Sequence, residues 1–191
     1  PSTSLTNGGT VSISAKTGVY YIITEACDKA GNCKKVVSNP YYLDNSAPNI
    51  SFEPNGNTTY QKTHNTKVTV NANTGTVNTI KYIVSTDKNA TPTTTITNGG
   101  TITVSGGTGA HFVIVEACDK AGNCKTTVSN AFNLDNSAPT VTYGTNGSTT
   151  YAKTRTTTVS VNANTGEVNT IKYIVSTSTT ATPNTTISNG G

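Results

Sequence analysis

The sequence lacks tryptophan and methionine altogether, and it has only two histidines among its 191 residues. Charged residues make up 12% of the chain, and its longest basic run is Lys34-Lys35. Because nucleic-acid binding needs a clustered basic patch, the net charge of +4 does not favour a nucleic-acid partner. No apolar run is long enough to span a membrane, so we expect no membrane insertion in this segment. The first residue is Pro1 rather than Met, and no signal segment opens the chain, which predicts a fragment or a processed product.

Threonine and asparagine are the abundant polar residues of this weakly charged chain. The 41 threonines and 23 asparagines form a third of the chain, and valine and isoleucine are frequent. β-Branched residues favour strands and asparagine favours turns, whereas no helix-period pattern of leucine, alanine, glutamate and lysine occurs. The hydrophobic fraction of 32% predicts a thin core, such as one between two small sheets. This composition predicts an all-β protein.

One ten-residue stretch occurs twice, letter for letter. Residues 25–34 read Glu-Ala-Cys-Asp-Lys-Ala-Gly-Asn-Cys-Lys, and residues 116–125 repeat them. Shifting the whole sequence by 91 positions aligns residues 1–100 with 92–191 without a gap, and 64 of these 100 positions are identical. The sequence therefore predicts tandem repeats with a 91-residue period.

The cysteines fall in two identical local pairs, Cys27 with Cys33 and Cys118 with Cys124. A β-rich run leads into each pair and another leads out, which predicts a hairpin tied by one disulfide per repeat. Two thiols without a nearby histidine make a poor metal site, and the spacing is not the Cys-x-x-Cys of redox proteins. We therefore expect structural disulfides formed in an oxidising compartment, each contributing roughly 2 kcal/mol by loop-closure entropy.

The residues between the cysteines are typical of a turn. An aspartate side chain can accept hydrogen bonds from backbone N–H groups two residues on, and glycine or asparagine tolerates a left-handed backbone conformation. We assign a structural role in the turn to six residues: Asp28, Gly31, Asn32, Asp119, Gly122 and Asn123.

The domain boundary is predicted at a small polar stretch that ends in proline, residues 43–48, repeated at 134–139. This boundary gives a C-terminal part of one repeat (1–48), a complete repeat (49–139) and an N-terminal part of a third (140–191). Alternation and turn signals predict about seven short strands in the complete repeat, which is typical of an immunoglobulin-like sandwich. They include strands at 66–72 and 101–104, a turn at 73–75, and one continuous arm at 125–134 after the hairpin. The threonine-rich residues 90–100 are an alternative boundary.

Asp-x-x-Ala-Pro occurs at 44–48 and 135–139, and alternating strands run into Ala-x-Asp-x-Ala-Gly-Asn at 26–32 and 117–123. Both patterns resemble the bacterial immunoglobulin-like (Big-type) tandem repeats of extracellular and cell-surface proteins. The resemblance implies tandem immunoglobulin-like β-sandwiches without enzymatic activity or cofactors. The cysteine pair spans a hairpin, whereas antibody-type domains bridge two sheets. The stretches also resemble cadherin linkers, but one aspartate in each is too few for calcium, so no metal is expected.

Alternation along the strands separates an inward face from an outward one. Five outward-facing residues are apolar and are predicted as a possible interface with another domain or chain: Tyr21, Ile23, Ile83, Phe112 and Ile114. An alternative is that such residues simply suit strands. Glu25 and Glu116 also face outward, which disfavours a buried isopeptide cross-link.

No catalytic set is recognisable in the sequence. His64 and His111 are replaced in the other repeats by Arg155 and Tyr20, so neither belongs to a site that every repeat shares. The function predicted is a structural segment of a bacterial extracellular stalk, filament or adhesin. Its partners would be neighbouring repeats or copies of the same chain. Either split domains of different copies complete each other, or the sequence is one window of a longer array. The alternatives are a carbohydrate- or protein-binding module of a secreted enzyme and, less favoured, a catalytic domain.

Overall fold

A computed structural model describes residues 3–190. These residues form seventeen β-strands and contain no helix, so the predicted all-β class is confirmed. The strand pairings fall into three groups, which we call the N-terminal segment (residues 3–43), the central segment (49–134) and the C-terminal segment (140–190).

The central segment contains nine strands in two sheets. The strands are β5 (Asn49–Glu53), β6 (Asn57–Gln61), β7 (His64–Asn71), β8 (Val77–Ser85), β9 (Thr94–Thr95), β10 (Thr101–Val104), β11 (Gly109–Asp119), β12 (Cys124–Val128) and β13 (Phe132–Leu134). One sheet has the order β10–β7–β5, and the other has the order β6–β13–β11–β8–β9, with β12 also paired to β11. All of these pairings are antiparallel except β6 with β13.

The flanking segments contain pairs of strands. In the N-terminal segment β1 (Gly18–Tyr20) pairs with β4 (Tyr41–Leu43), and β2 (Ile23–Cys27) pairs with β3 (Cys33–Val37). In the C-terminal segment β14 (Thr140–Tyr143) pairs with β15 (Val159–Asn162), and β16 (Ile171–Tyr173) pairs with β17 (Thr185–Ile187). Shifted by 91 residues, the first set corresponds to β11, β12 and β13, and the second to β5, β7, β8 and β9.

The hydrophobic core lies in the central segment and draws residues from both of its sheets. Its members are Phe52, Val68, Val70, Ile80, Ile102, Val104, Val113, Val115, Ala117, Phe132 and Leu134. Burial alternates strictly along β7, which follows from the two-residue period of a strand with one face on the core. Burying each large aliphatic side chain contributes about 1.5–3 kcal/mol, so the core is the main stabilising element of this segment.

Two features of the central segment differ from the predicted strands. β6 was not predicted, since it is a polar edge strand with no apolar alternation. The arm leaving the hairpin is not continuous, because it is divided at Ser129 into β12 and β13. The Ser129 Oγ accepts a hydrogen bond from the Val113 N–H (2.9 Å) and donates one to the Asn130 carbonyl (2.8 Å), so a side chain replaces part of the strand ladder there.

The N- and C-terminal segments join the central segment at opposite ends of β7. At one end Asn49 pairs with Asn71, directly after the stretch at 44–48. At the other end the Asp135 N–H donates to the Gln61 carbonyl (3.0 Å), close to where β7 begins. A strand of eight residues separates these ends by about 23 Å at 3.3 Å per residue.

Candidate functional site

The cysteine hairpins form as the sequence predicts. Cys27 is bonded to Cys33 and Cys118 to Cys124, with Cα–Cα distances of 4.0 and 4.1 Å. In both hairpins the two cysteines are directly opposite each other in the strand register. The disulfides therefore link the last residue pair of the antiparallel arms before the turn, and they indicate an oxidising environment.

The aspartate of each turn organises the loop between the cysteines. The Asp119 carboxylate accepts hydrogen bonds from the backbone N–H and the side-chain amide of Asn123, both at 2.9 Å. Asp28 accepts the same two bonds from Asn32, at 2.9 and 2.8 Å. In each turn the amide side chain is the largest influence on the carboxylate, and together with backbone N–H groups it lowers the pKa of Asp119 and of Asp28 below the ordinary 3.8.

The two turn glycines have the left-handed backbone that the sequence predicts, whereas Asn32 and Asn123 do not adopt it and act as hydrogen-bond donors. Gly31 and Gly122 have φ of 92° and 94°, which is the left-handed region that glycine tolerates. The two turns differ in burial, since Asp119 is 1% exposed whereas Asp28 is exposed. In the central turn, the Asn123 amide also donates to the Asp44 carbonyl (3.0 Å). This hairpin therefore contacts the stretch that precedes the central segment.

The stretches 44–48 and 135–139 connect neighbouring segments, and we call them the first and second joints. In the first joint Asp44 Oδ1 accepts bonds from the Ser46 N–H (3.1 Å) and hydroxyl (2.7 Å). In the second joint Asp135 Oδ1 accepts the same bonds from Ser137, and these lower the pKa of Asp135. Both aspartates are thus engaged within their own joints. In residues 3–190 no group of three or more His, Cys, Asp or Glu side chains is placed to hold a metal ion.

Asparagine side chains attach each joint to the segment before it. The Asn45 N–H donates to the Thr17 hydroxyl (2.9 Å), and its side chain donates to the Ala15 carbonyl (2.6 Å). Asn136, 91 residues later, makes the corresponding bonds to the Thr108 hydroxyl and the Gly106 carbonyl, both at 2.9 Å.

Another asparagine attaches each joint to the segment after it. Asn73, at φ 65°, donates to the Ala47 carbonyl (2.8 Å), and Asn164, also at φ 65°, donates to the Ala138 carbonyl (2.7 Å). Sequence reasoning predicted a turn at 73–75 but assigned no joint contact to it. The available signal was that both asparagines stand at the same place in each repeat.

A groove lies at the first joint, between the N-terminal segment and two turns of the central segment. It has a volume of about 600 Å³. Its lining residues are Thr17, Gly18, Val19, Tyr42, Leu43, Asp44, Thr74, Gly75, Thr76, Lys120 and Ala121. At the second joint Tyr60 lies beside Gly166, and its Cβ is 3.9 Å from where a Cβ on Gly166 would lie. No sequence pattern indicated this groove.

The five residues predicted as an outward interface have unequal exposure. Tyr21 and Ile23 are exposed, at 55% and 48%. Ile83 and Phe112 are half-buried, and the Lys88 ammonium lies 4.6 Å from the centre of the Phe112 ring. Ile114 is 1% exposed, so this part of the predicted surface is buried within the chain itself. Of these five residues, the two that are exposed lie in the N-terminal segment.

Both histidines lie against backbone carbonyl groups, and His111 Nδ1 is 3.2 Å from the Gly109 carbonyl. His64 is buried against Phe132, with ring centroids 5.8 Å apart, and its Nε2 lies 3.2 Å from the Thr59 carbonyl and 3.0 Å from the Asn133 carbonyl. Arg155, which replaces His64 in the C-terminal segment, donates to the Thr150 carbonyl (2.5 Å), the counterpart of Thr59. Two different side chains thus make the same local contact.

The comparisons with known proteins do not assign the chain to a family. No family model matches the sequence, and no curated protein is significantly similar to it. In the part of the chain that the structure describes, no helix has the length and apolar character needed to cross a membrane.

Proposed function

We propose that this chain is a structural segment of a bacterial extracellular stalk, filament or adhesin, built from tandem immunoglobulin-like sandwiches of 91 residues. The observation that carries the proposal is the pair of joints, whose hydrogen bonds recur at equivalent residues. A spacer needs each unit to hold the next at a fixed angle, and both joints are bonded to the segments on either side of them.

The joint bonds favour a fixed connection over a flexible linker. Each joint is five residues long and contains a proline, which restricts its backbone. Asn45 fastens the first joint to the segment before it, and Asn73 fastens it to the segment after it. Asn136 and Asn164 do the same at the second joint. Repetition of one joint geometry along an array would produce an extended rod.

The surface and the disulfides also support a spacer role outside the cell. Threonine and asparagine supply uncharged polar groups on the strands, and one disulfide ties a hairpin in each of the N-terminal and central segments. The proposed partners are neighbouring repeats or further copies of the chain. The proposed location is the bacterial cell surface or the extracellular space.

The rod can be tested by small-angle X-ray scattering of the dilute chain. We expect the scattering of a single extended particle, and we expect N73A with N164A to broaden the distance distribution because each joint loses one of its attachments. N89A, in an exposed turn outside both joints, is the matched control and should scatter like the unmodified chain. An unmodified chain that already scatters as flexibly linked units would contradict the spacer proposal, as would a native protein that is cytosolic with free thiols.

A binding module is the second candidate function, and the groove at the first joint favours it. Val19, Tyr42 and Leu43 give the groove an apolar wall beside the Asp44 and Lys120 side chains. A glycan array probed with the chain would show saturable binding that is lost in Y42A. The absence of any glycan signal would remove this candidate and leave the spacer proposal intact.

A further inference from the structure

We propose that Asn89 is an acceptor for N-linked glycosylation, with a polyprenyl-diphosphate-linked oligosaccharide as the donor. Asp87 would be part of the signal that a membrane-bound oligosaccharyltransferase recognises. The site lies in the connection between β8 and β9 of the central segment. This inference rests on the extracellular location in the proposed function, since N-glycosylation is typical of secreted proteins. It adds to the spacer a modified residue and the class of group that is attached to it.

The acceptor pattern for N-glycosylation is an asparagine followed two positions later by serine or threonine, with any residue except proline between them. The pattern occurs five times in this sequence, at 49–51, 57–59, 89–91, 146–148 and 184–186. Because the chain is rich in asparagine and threonine, the pattern alone does not select a site. Exposure, hydrogen bonding and charge distinguish the five stretches.

Asn89 lies in an exposed turn outside the strands. β8 ends at Ser85 and β9 begins at Thr94, and the side chains of Asp87, Asn89 and Thr91 are exposed. The turn is closed through the backbone of Asn89, whose N–H donates to Asp87 Oδ1 (2.9 Å). Within residues 3–190 no group is hydrogen-bonded to the Asn89 side-chain amide. An enzyme can therefore reach its Nδ2 without separating any strand from a sheet.

The acceptor patterns at 49–51 and 57–59 lie within strands instead. Asn49 belongs to β5, and its side-chain amide donates to Asn73 Oδ1 (2.9 Å). Asn57 belongs to β6 and is half-buried, and its Oδ1 accepts hydrogen bonds from the Thr59 N–H (2.9 Å) and hydroxyl (2.7 Å). Transfer to either asparagine would require a paired strand to leave its sheet, which disfavours both.

Charge also distinguishes Asn89. It is the one asparagine of the five with a carboxylate two residues before it, since the residues at that place before the other four are Ala47, Asn55, Gly144 and Thr182. Asp87 is exposed, so its carboxylate can form a charge-assisted pair with an arginine or lysine of a transferase. The chain has only nine acidic residues, so a carboxylate at this place is a selective feature.

The lysine between these two residues anchors the turn. The Lys88 ammonium lies 4.6 Å from the centre of the Phe112 ring, a cation–π contact with β11. Lys88 is thus directed towards the sheet, and the Asp87 carboxylate remains available to a cation from outside the chain. The turn presents a carboxylate and an amide on its exposed side while its lysine holds it in place.

The transfer would form a bond between Asn89 Nδ2 and the anomeric carbon of the first sugar. The bond between that carbon and the diphosphate oxygen breaks, and the polyprenyl diphosphate leaves with the electron pair. Nδ2 gives up one proton to a base of the transferase. The exposed Thr91 hydroxyl supplies the remaining recognition group of the acceptor pattern.

The counterpart turn at residues 176–182 has the same backbone hydrogen bonds without the acceptor. In both turns an N–H donates to the hydroxyl of the serine two residues before it, at 3.0 Å. Ser178 stands at the place of Asp87. Thr180 stands at the place of Asn89, and its N–H donates to the Ser178 hydroxyl (3.3 Å). The acceptor pattern can therefore be moved from one turn to the other.

The first test treats the full disulfide-bonded chain with a purified single-subunit bacterial oligosaccharyltransferase and a polyprenyl-diphosphate-linked oligosaccharide. We expect the intact mass to rise by one oligosaccharide, and peptide mapping by mass spectrometry to locate it on Asn89. N89Q should remove this product, and D87N should lower the initial rate of transfer at least tenfold because the carboxylate is lost. N57Q is the matched control and should accept the oligosaccharide at the unchanged rate.

The second test moves the acceptor pattern to the counterpart turn. S178D combined with T180N supplies both the carboxylate and the asparagine, so we expect a second oligosaccharide on the chain. T180N alone supplies the asparagine without the carboxylate, and its transfer at that turn should be at least tenfold slower. This comparison leaves residues 85–93 unchanged, so it does not depend on how N89Q or D87N folds.

The outcomes separate this inference from the spacer proposal. A chain that gains no oligosaccharide, while another acceptor protein in the same reaction is modified, would overturn the site. Equal transfer to Asn57 or Asn146 would overturn selection by this turn, and an unchanged rate in D87N would overturn the role of the carboxylate. None of these results alters the scattering expected of the unmodified rod. A chain that scatters as flexibly linked units but is modified at Asn89 would contradict the spacer proposal alone.

Discussion

The central and flanking segments share 64 identical residues in 100 positions aligned by the 91-residue shift, but they differ in burial. Leu134 is fully buried in the central segment, whereas Leu43, 91 residues earlier, is half-buried. Phe132 is fully buried, whereas Tyr41 is 46% exposed. The difference shows that the pairing of neighbouring strands follows from the local sequence. Burial depends in addition on strands that are distant in the sequence.

The hairpins illustrate the local part of this contrast. β2–β3 and β11–β12 have the same register, turn and disulfide, although the first lacks the sheet that covers the second. A two-stranded hairpin is marginally stable alone, so the disulfide has a larger share in stabilising the N-terminal copy.

The largest expected difference comes from shortening the equivalent leucines. L134A removes a fully buried side chain and should lower the free energy of unfolding of the central segment by about 2–5 kcal/mol. L43A acts on a half-buried residue outside that core and should change the same free energy of unfolding by about 1 kcal/mol or less. Denaturant unfolding followed by circular dichroism would measure both, at concentrations too low for copies to associate. Equal effects would show that the N-terminal segment is as well packed as the central one.

Removing each disulfide should give the next largest difference. Replacing Cys118 and Cys124 by serine should destabilise the central segment by about 2 kcal/mol, from the entropy of closing a short loop. The same replacement at Cys27 and Cys33 should leave the central unfolding transition in place and increase hydrogen exchange in β2 and β3. Mass-resolved hydrogen exchange distinguishes the two hairpins. If the unfolding transition of the central segment shifts equally in both variants, the N-terminal and central segments do not unfold independently.

The equivalent serines provide a smaller test. Ser129 and Ser38 make the same pair of bonds, with Oγ accepting from the N–H of Val113 or of Ile22 at 2.9 Å. S129A leaves the buried Val113 N–H without this partner and should lower the free energy of unfolding by on the order of 1 kcal/mol. S38A leaves the Ile22 N–H exposed to water, so it should lower the free energy of unfolding only a little. Thermal unfolding measures both variants. A larger loss in S38A would show that the N-terminal segment has its own buried core.

The sequence predicts the local features because each depends on residues close in the chain. Alternation located β7 and β10, and the spacing of Cys118 and Cys124 located a hairpin with its disulfide. β6 was missed because its pairing with β13 joins residues more than seventy positions apart, with no apolar pattern to indicate it.

The joints show why the rest of the site could not be derived from the sequence. Asn73 was correctly placed in a turn, but its contact with Ala47 depends on how β5 pairs with β7. The burial of Ile114 likewise depends on β8 and β12 lying on either side of β11. Periodicity indicates which side chains share a face, and it carries no information on what covers that face.

The smallest expected difference is the response of the two hairpin turns to acid. Hydrogen bonds led by the Asn123 side chain lower the pKa of Asp119 in the folded chain, below the ordinary 3.8. A lowered pKa stabilises the fold above the unfolded value, and this contribution is lost as the pH falls through the folded pKa. The central segment should therefore lose stability below about pH 3.8.

The equivalent variants D119N and D28N isolate this response from that of the other carboxyl groups. Asparagine does not titrate, so the acid-dependent loss in D119N should be smaller than in the unmodified chain, as measured by urea unfolding between pH 2 and 6. Asp28 has the same bonds and the same direction of pKa shift, but its turn is exposed and lies outside the central core. D28N should therefore leave the acid dependence of the central transition unchanged. If the two variants alter the pH profile equally, the N-terminal hairpin is energetically coupled to the central segment through the first joint.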